Sequence, residues 1–172
     1  PSSFRTLSAS SAAPVTFSGS LAPTFRHARC VNCHPAGDGP TQGDQMTAHT
    51  MEVKRGPDGR GQDELKCATC HQEINLEGDN MPPGAPNWHM PPANNKMVFA
   101  GLTPGQLCRN LKDPLKNGGR KTAKEAVHHI SSDPLVLWAW SPGNGRSTPP
   151  LGHAEFMKKM NEWVANGAAC PE

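Results

Sequence analysis

Two pentads constrain this chain more than anything else in it: Cys30-Val31-Asn32-Cys33-His34 and Cys67-Ala68-Thr69-Cys70-His71, whose first cysteines stand 37 positions apart. They hold four of the 6 cysteines. The chain around them has little material for a core. Of 172 residues, 35% are hydrophobic and 5% aromatic, none is tyrosine, and 17 glycines and 18 prolines interrupt the rest. Proline locks φ and removes a donor, and glycine costs ordering entropy, so such a chain favours loops over long elements. Its apolar surface is too small to offset that entropy easily. The composition therefore predicts a fold that needs staples, a large bound group, or both.

The pentad spacing has a chemical reason. Thiols three positions apart can each add to one vinyl group of a haem, and the histidine that follows is then carried under the iron as proximal ligand. Other chemistry also uses paired cysteines. A four-thiolate zinc site is one, but 33 residues separate Cys33 from Cys67, and zinc gives no reason for a histidine after each pair. A thioredoxin-like redox pair is another, and it asks for a βαβ pattern that the flanks lack.

Through Cys30, Cys33, His34, Cys67, Cys70 and His71 the chain resembles the c-type cytochromes, and the resemblance implies two covalently bound haems c. From Cys30 to Pro92, including Gly84-Ala85-Pro86-Asn87-Trp88-His89, it is similar to small bacterial di-haem cytochromes. Some of those are labelled as subunits of isoquinoline-type oxidoreductases. Trp138-Ala139-Trp140-Ser141-Pro142-Gly143 and the Cys170-Pro171 end continue the likeness.

Each iron then has a sixth position, filled or open. A distal ligand is expected on a segment that folds back over the motif just passed. His49 lies 15 residues after His34, and His89 lies 18 after His71. His49 is therefore expected on the first haem and His89 on the second, with Trp88 packing on a haem face or edge. Methionine is a rival at both places, Met46 or Met51 beside His49 and Met90 or Met81 beside His89. The choice matters because methionine stabilises ferrous iron relative to a second histidine. His27, just before Cys30, is expected to hydrogen bond locally. His128, His129 and His153 fall on or beside helices, and the adjacent His128 and His129 must face different sides.

The chain divides into three stretches. Residues 1–23, rich in Ser, Ala and Thr and without periodicity, are expected as a flexible or extended tail. Residues 24–100 hold both motifs among turn sequences such as Gly37-Asp38-Gly39-Pro40, Gly56-Pro57-Asp58-Gly59 and Met81-Pro82-Pro83-Gly84. Residues 101–172 carry the helix signals and are expected to pack on the haem region as one domain. Thr103 caps a helix with Pro104 in its first turn, Leu107, Cys108 and Leu111 on one face and Pro114 as its stop. Thr122 and Glu125 form a capping box before Ala126, Val127 and Ile130, which Asp133-Pro134 ends. A last helix from near Gly152 aligns Phe156, Met160, Trp163 and Val164, with Gly167 as its exit. Cys108 and Cys170, outside both motifs, are expected to form a disulfide. The fold class this gives is mainly α with extensive irregular loops, a c-type multihaem cytochrome built around two covalent haems.

No apolar run approaches a membrane span, the longest being Leu135 to Trp140. The formal charge of +2 is unclustered and leaves no nucleic-acid footprint, and four haem propionates would shift it by about −4. Asp38, Asp44 and Asp58 lack calcium-loop spacing. No Ser/His/Asp triad, phosphate loop or carboxylate pair is present. Haem attachment implies export, so the chain is expected in mature form, periplasmic or extracellular. The expected function is electron transfer between redox partner proteins rather than catalysis. Two alternatives stand beside it: a haem enzyme or ligand sensor with one open sixth position, and a subunit of a larger extracellular redox assembly.

Overall fold

Phe17, Leu21 and Phe25 recur every fourth residue, which on a helix stacks them along one face. The computed structural model, which describes residues 14–172, has that face buried. A wide π-type turn over Phe17–Leu21 runs directly into α1, Ala22–Phe25, and the Thr16 hydroxyl accepts from the Gly19 N–H at its start. Phe17 meets Trp163 at 5.4 Å between ring centres, and Phe25 meets Phe99 and Phe156 edge-on at 5.6 and 5.4 Å. The expected tail is thus corrected for its later part. From Thr16 onward it is a core helix, because burial of three apolar residues outweighs the weak helix preference of Ser18, Gly19 and Ser20. The earlier part, residues 1–13, lies outside the described residues.

The middle of the chain is loop. After α2, Ala28–Val31, come two antiparallel hairpins with strands of two residues each. β1, Thr41–Gln42, pairs with β2, Thr47–Ala48, and β3, Gly61–Gln62, pairs with β4, Leu65–Lys66. The only buried hydrophobic residues between Pro35 and Met97 are Ala85 and Met90. The centre of this region is an arginine. Arg55 is 1% exposed, donates to the carbonyls of Gly37 and Pro91, and lies 3.5 Å from the Asp38 carboxylate. Backbone contacts do the rest. The Met90 N–H donates to the Gly59 carbonyl at 2.8 Å. Gly59 sits at φ +83°, where a Cβ would overlap the Met90 carbonyl.

The C-terminal part follows its helix signals closely. α3, Pro104–Lys112, begins with the Thr103–Gln106 capping box and buries Leu107, Cys108 and Leu111. α4, Ala123–Ser132, is capped by the Thr122 hydroxyl, while the Glu125 carboxylate accepts from Lys121 rather than from Thr122 itself. Asp133 ends α4 and also starts α5, Pro134–Trp138, accepting from the N–H groups of Leu135 and Val136. The sequence reading had only the stop. α6, His153–Ala165, buries Phe156, Met160 and Trp163. These helices and the N-terminal helix share one core, and the Cys108–Cys170 disulfide closes the chain end onto α3 with Cα atoms 5.5 Å apart. No described helix is long and apolar enough to cross a membrane.

Candidate functional site

Both pentads wind into the same single turn. Cys33 and His34 donate their N–H groups to the Cys30 carbonyl at 3.2 and 3.1 Å. Cys70 and His71 donate to the Cys67 carbonyl at 3.2 and 2.9 Å. Hydrogen bonds across three and four residues bring the first cysteine, the second cysteine and the histidine to one face.

The two histidines are also seated alike. His34 holds Nδ1 2.7 Å from the Met97 carbonyl and stacks on Phe99, with ring centres 4.0 Å apart and planes 15° apart. His71 holds Nδ1 2.7 Å from the Pro83 carbonyl and stacks on Trp88 at 4.3 Å and 2°. A carbonyl only accepts, so Nδ1 carries the hydrogen and Nε2 keeps an in-plane lone pair. Stacking covers one face of each ring and leaves that lone pair free. Met97 sits at φ +47°, in the left-handed region that costs a non-glycine residue free energy, and its carbonyl is the one that fixes His34.

Electrostatics separates these groups from reactive thiols. Burial holds His34 down at about 4 and lowers His71 as well, so both rings are neutral at neutral pH, the state that binds metal. Cys30 and Cys33 show part of their surface to solvent, yet burial pushes their thiols up to about 12 and about 11. Catalytic redox cysteines are tuned the other way, toward the thiolate. Among the described residues no three His, Cys, Asp or Glu side chains converge as a cage for a bare ion.

The second motif has an imidazole facing it. The His49 ring centre lies 6.1 Å from that of His71, with planes at 59°. His49 holds Nδ1 2.7 Å from the Thr50 carbonyl, so its Nε2 is free too. Two imidazoles on opposite sides of one metal, each with a nitrogen about 2 Å from it, keep their centres about 6 Å apart. His49 thus lies beside the second motif, where the sequence expectation had it on the first. The β1–β2 hairpin is bonded to the first motif, where the Thr41 N–H donates to the Asn32 carbonyl and the Asn32 amide donates to the Gly43 carbonyl, yet the His49 that follows β2 reaches His71, its own N–H donating to the Pro40 carbonyl.

The first motif faces a cavity of about 450 Å3, a size that suits a small-molecule or cofactor site. Cys30, Cys33 and His34 line it, together with apolar side chains from the helical part such as Phe25, Ile130 and Val136. His89, expected on the second haem, lines this cavity instead, and so does His129 of α4. Burial holds His129 down at about 4. The remaining histidines have local work. His27 Nδ1 accepts from the Arg29 N–H at the start of α2, His153 packs on Trp140, and His128 is exposed.

Trp88 belongs to both sites, with one face on His71 and a place in the cavity wall beside His34. Trp138 meets it edge-on at 5.0 Å, donates Nε1–H to Asn75, and has the Arg29 guanidinium 6.0 Å from its ring. These residues fit a haem at the first motif. Two thiols and a free imidazole nitrogen stand on one face, the wall is mostly apolar, and Arg29 and Arg120 add positive charge. Arg29 is buried and pairs with Asp44, and its Nε has no hydrogen-bond partner. A propionate is the kind of anion that such an orphaned donor takes. The sequence alone does not point to Met97 and Phe99, which meet His34 from more than sixty residues away, nor to Pro83, whose carbonyl meets His71 from across a turn-rich loop. Comparison with protein-family models, curated proteins and solved structures finds no match.

Proposed function

We propose that this chain is a di-haem c-type cytochrome that carries electrons between redox partner proteins outside the cytoplasm. The observation behind the proposal is one arrangement repeated at two places with unrelated flanks. Each has a Cys-x-x-Cys-His turn, a carbonyl on Nδ1, an aromatic ring flat on the imidazole, and a free Nε2. Cys30 with Cys33 and Cys67 with Cys70 would hold the two haems, His34 and His71 the proximal positions, and His49 the distal position opposite His71. Bound this way, a haem supplies a one-electron couple between ferric and ferrous iron.

The chain's own share is to orient neutral imidazoles, to wall the first site with apolar side chains of the helical part, and to set the two sites against a shared tryptophan wall. The Cys108–Cys170 disulfide supports an exported protein, since such bonds persist in oxidising compartments. A redox titration followed by visible absorption and low-temperature electron paramagnetic resonance tests the reading. The expected result is two low-spin ferric haems and two one-electron steps; a protein without haem absorption overturns it.

A second reading has its own support. The cavity beside His34 suits a haem enzyme or small-ligand sensor with an open sixth position. Carbon monoxide uptake by one ferrous haem of the native protein favours that reading, and no uptake favours the carrier.

A further inference from the structure

The helical part brings one more group to the first motif, and the inference drawn from it rests on the di-haem reading. Three side chains in the cavity wall besides the motif carry donors suited to iron: His89, His129 and Met97. Met97 is on the wrong side. Its carbonyl binds Nδ1 of His34, the nitrogen turned away from any metal on Nε2, and its sulfur accepts from Arg120 at 3.7 Å. His89 rides on the loop whose preceding residue, Trp88, lies flat on His71, and its Nδ1 is tied to the Asn87 carbonyl. His129 is different in kind. It sits on the ten-residue helix α4, and its Nδ1 lies 3.4 Å from the Asp133 carboxylate one turn on, leaving Nε2 free. Asp133 is itself fixed, because it accepts from the N–H groups of Leu135 and Val136 at the start of α5.

We infer that His129, oriented by Asp133, is the sixth ligand of the haem attached at Cys30 and Cys33. A carboxylate on the far nitrogen of a ligating imidazole fixes its tautomer and makes it a stronger donor. The two haems would then take distal ligands from opposite parts of the molecule, His49 from the loops and His129 from the helices. Only the first haem would carry a carboxylate-backed distal imidazole, so stronger donation to ferric iron lowers its potential.

The test compares His129→Ala, His89→Ala and Asp133→Asn proteins by electron paramagnetic resonance and redox titration, with the haem count read separately from the mass of the unfolded chains. His129→Ala should keep two haems, turn one of them high-spin, and return to low-spin when imidazole is added. His89→Ala should leave both low-spin. Asp133→Asn keeps a good helix cap and removes the charge, so one midpoint should rise while the other stays. His129→Met serves if the alanine protein does not fold, and should raise one midpoint through a sulfur ligand. Two low-spin haems in His129→Ala, a haem opened by His89→Ala instead, or unchanged midpoints in His129→Met would overturn the assignment. A native chain with no attached haem would overturn the di-haem reading itself.

Discussion

From α3 to α6 the interior is filled by Leu107, Leu111, Ile130, Phe156, Met160 and Trp163, whereas between Pro35 and Met97 it holds Ala85, Met90 and a buried arginine. The first region folds as small helical proteins do, by burying apolar faces and closing a disulfide. The second has two hairpins of two-residue strands and otherwise turns. A hairpin alone is marginal in water, and this one has no apolar face to pack. Both pentad histidines nevertheless sit in well-defined seats. On the di-haem proposal, the contrast marks the loop region as the part that would depend most on a bound group, since apolar burial there does little to offset its ordering entropy.

The sharpest way to break that comparison is to make the protein without haem, by replacing Cys30, Cys33, Cys67 and Cys70 with serine. Hydrogen exchange should then lose all protection between Pro35 and Met97 while α3 and α6 stay protected. Protection retained in the loops would remove the contrast. Next comes the disulfide. Replacing Cys108 and Cys170 with serine opens a loop with a sequence separation of 62 and should cost about 4 kcal/mol in denaturant unfolding. The haem spectra should not change.

Smaller effects sharpen the same division. Leu107→Ala removes a fully buried side chain from the helical core and should cost about 3 kcal/mol, again with unchanged spectra. Gly59→Ala strains a left-handed position against the Met90 carbonyl and should cost about 2 kcal/mol. Here the spectra should shift, because the Gly59 carbonyl lies 3.9 Å from the Cys67 sulfur. Equal spectral effects from both substitutions would mean that the two regions are not separable.

What could be read along the chain was what is local. The pentads, the Thr103 and Thr122 caps and the apolar faces of α3, α4 and α6 each rest on residues within a turn or two of one another. The Phe17, Leu21, Phe25 repeat is equally local, but the serine, glycine and proline around it mask the helix signal. Asp133-Pro134 was legible as a stop and equally so as a start, since aspartate caps and proline suits the first helical position. The ligand pairing was not legible. Whether His49 meets His34 or His71 is set by which way a hairpin of four paired residues leaves the first motif, and no residue within it encodes that direction by itself. The stacking of Phe99 on His34, like the Met97 carbonyl on its Nδ1, joins residues more than sixty positions apart.

The most direct measurement is the mass of the denatured native chain, followed by that of its proteolytic peptides. Two haems added to the 18.4 kDa polypeptide, one on the peptide with Cys30 and Cys33 and one on that with Cys67 and Cys70, is the result this account predicts. A mass equal to that of the bare polypeptide, with four unmodified thiols in those peptides, would contradict it.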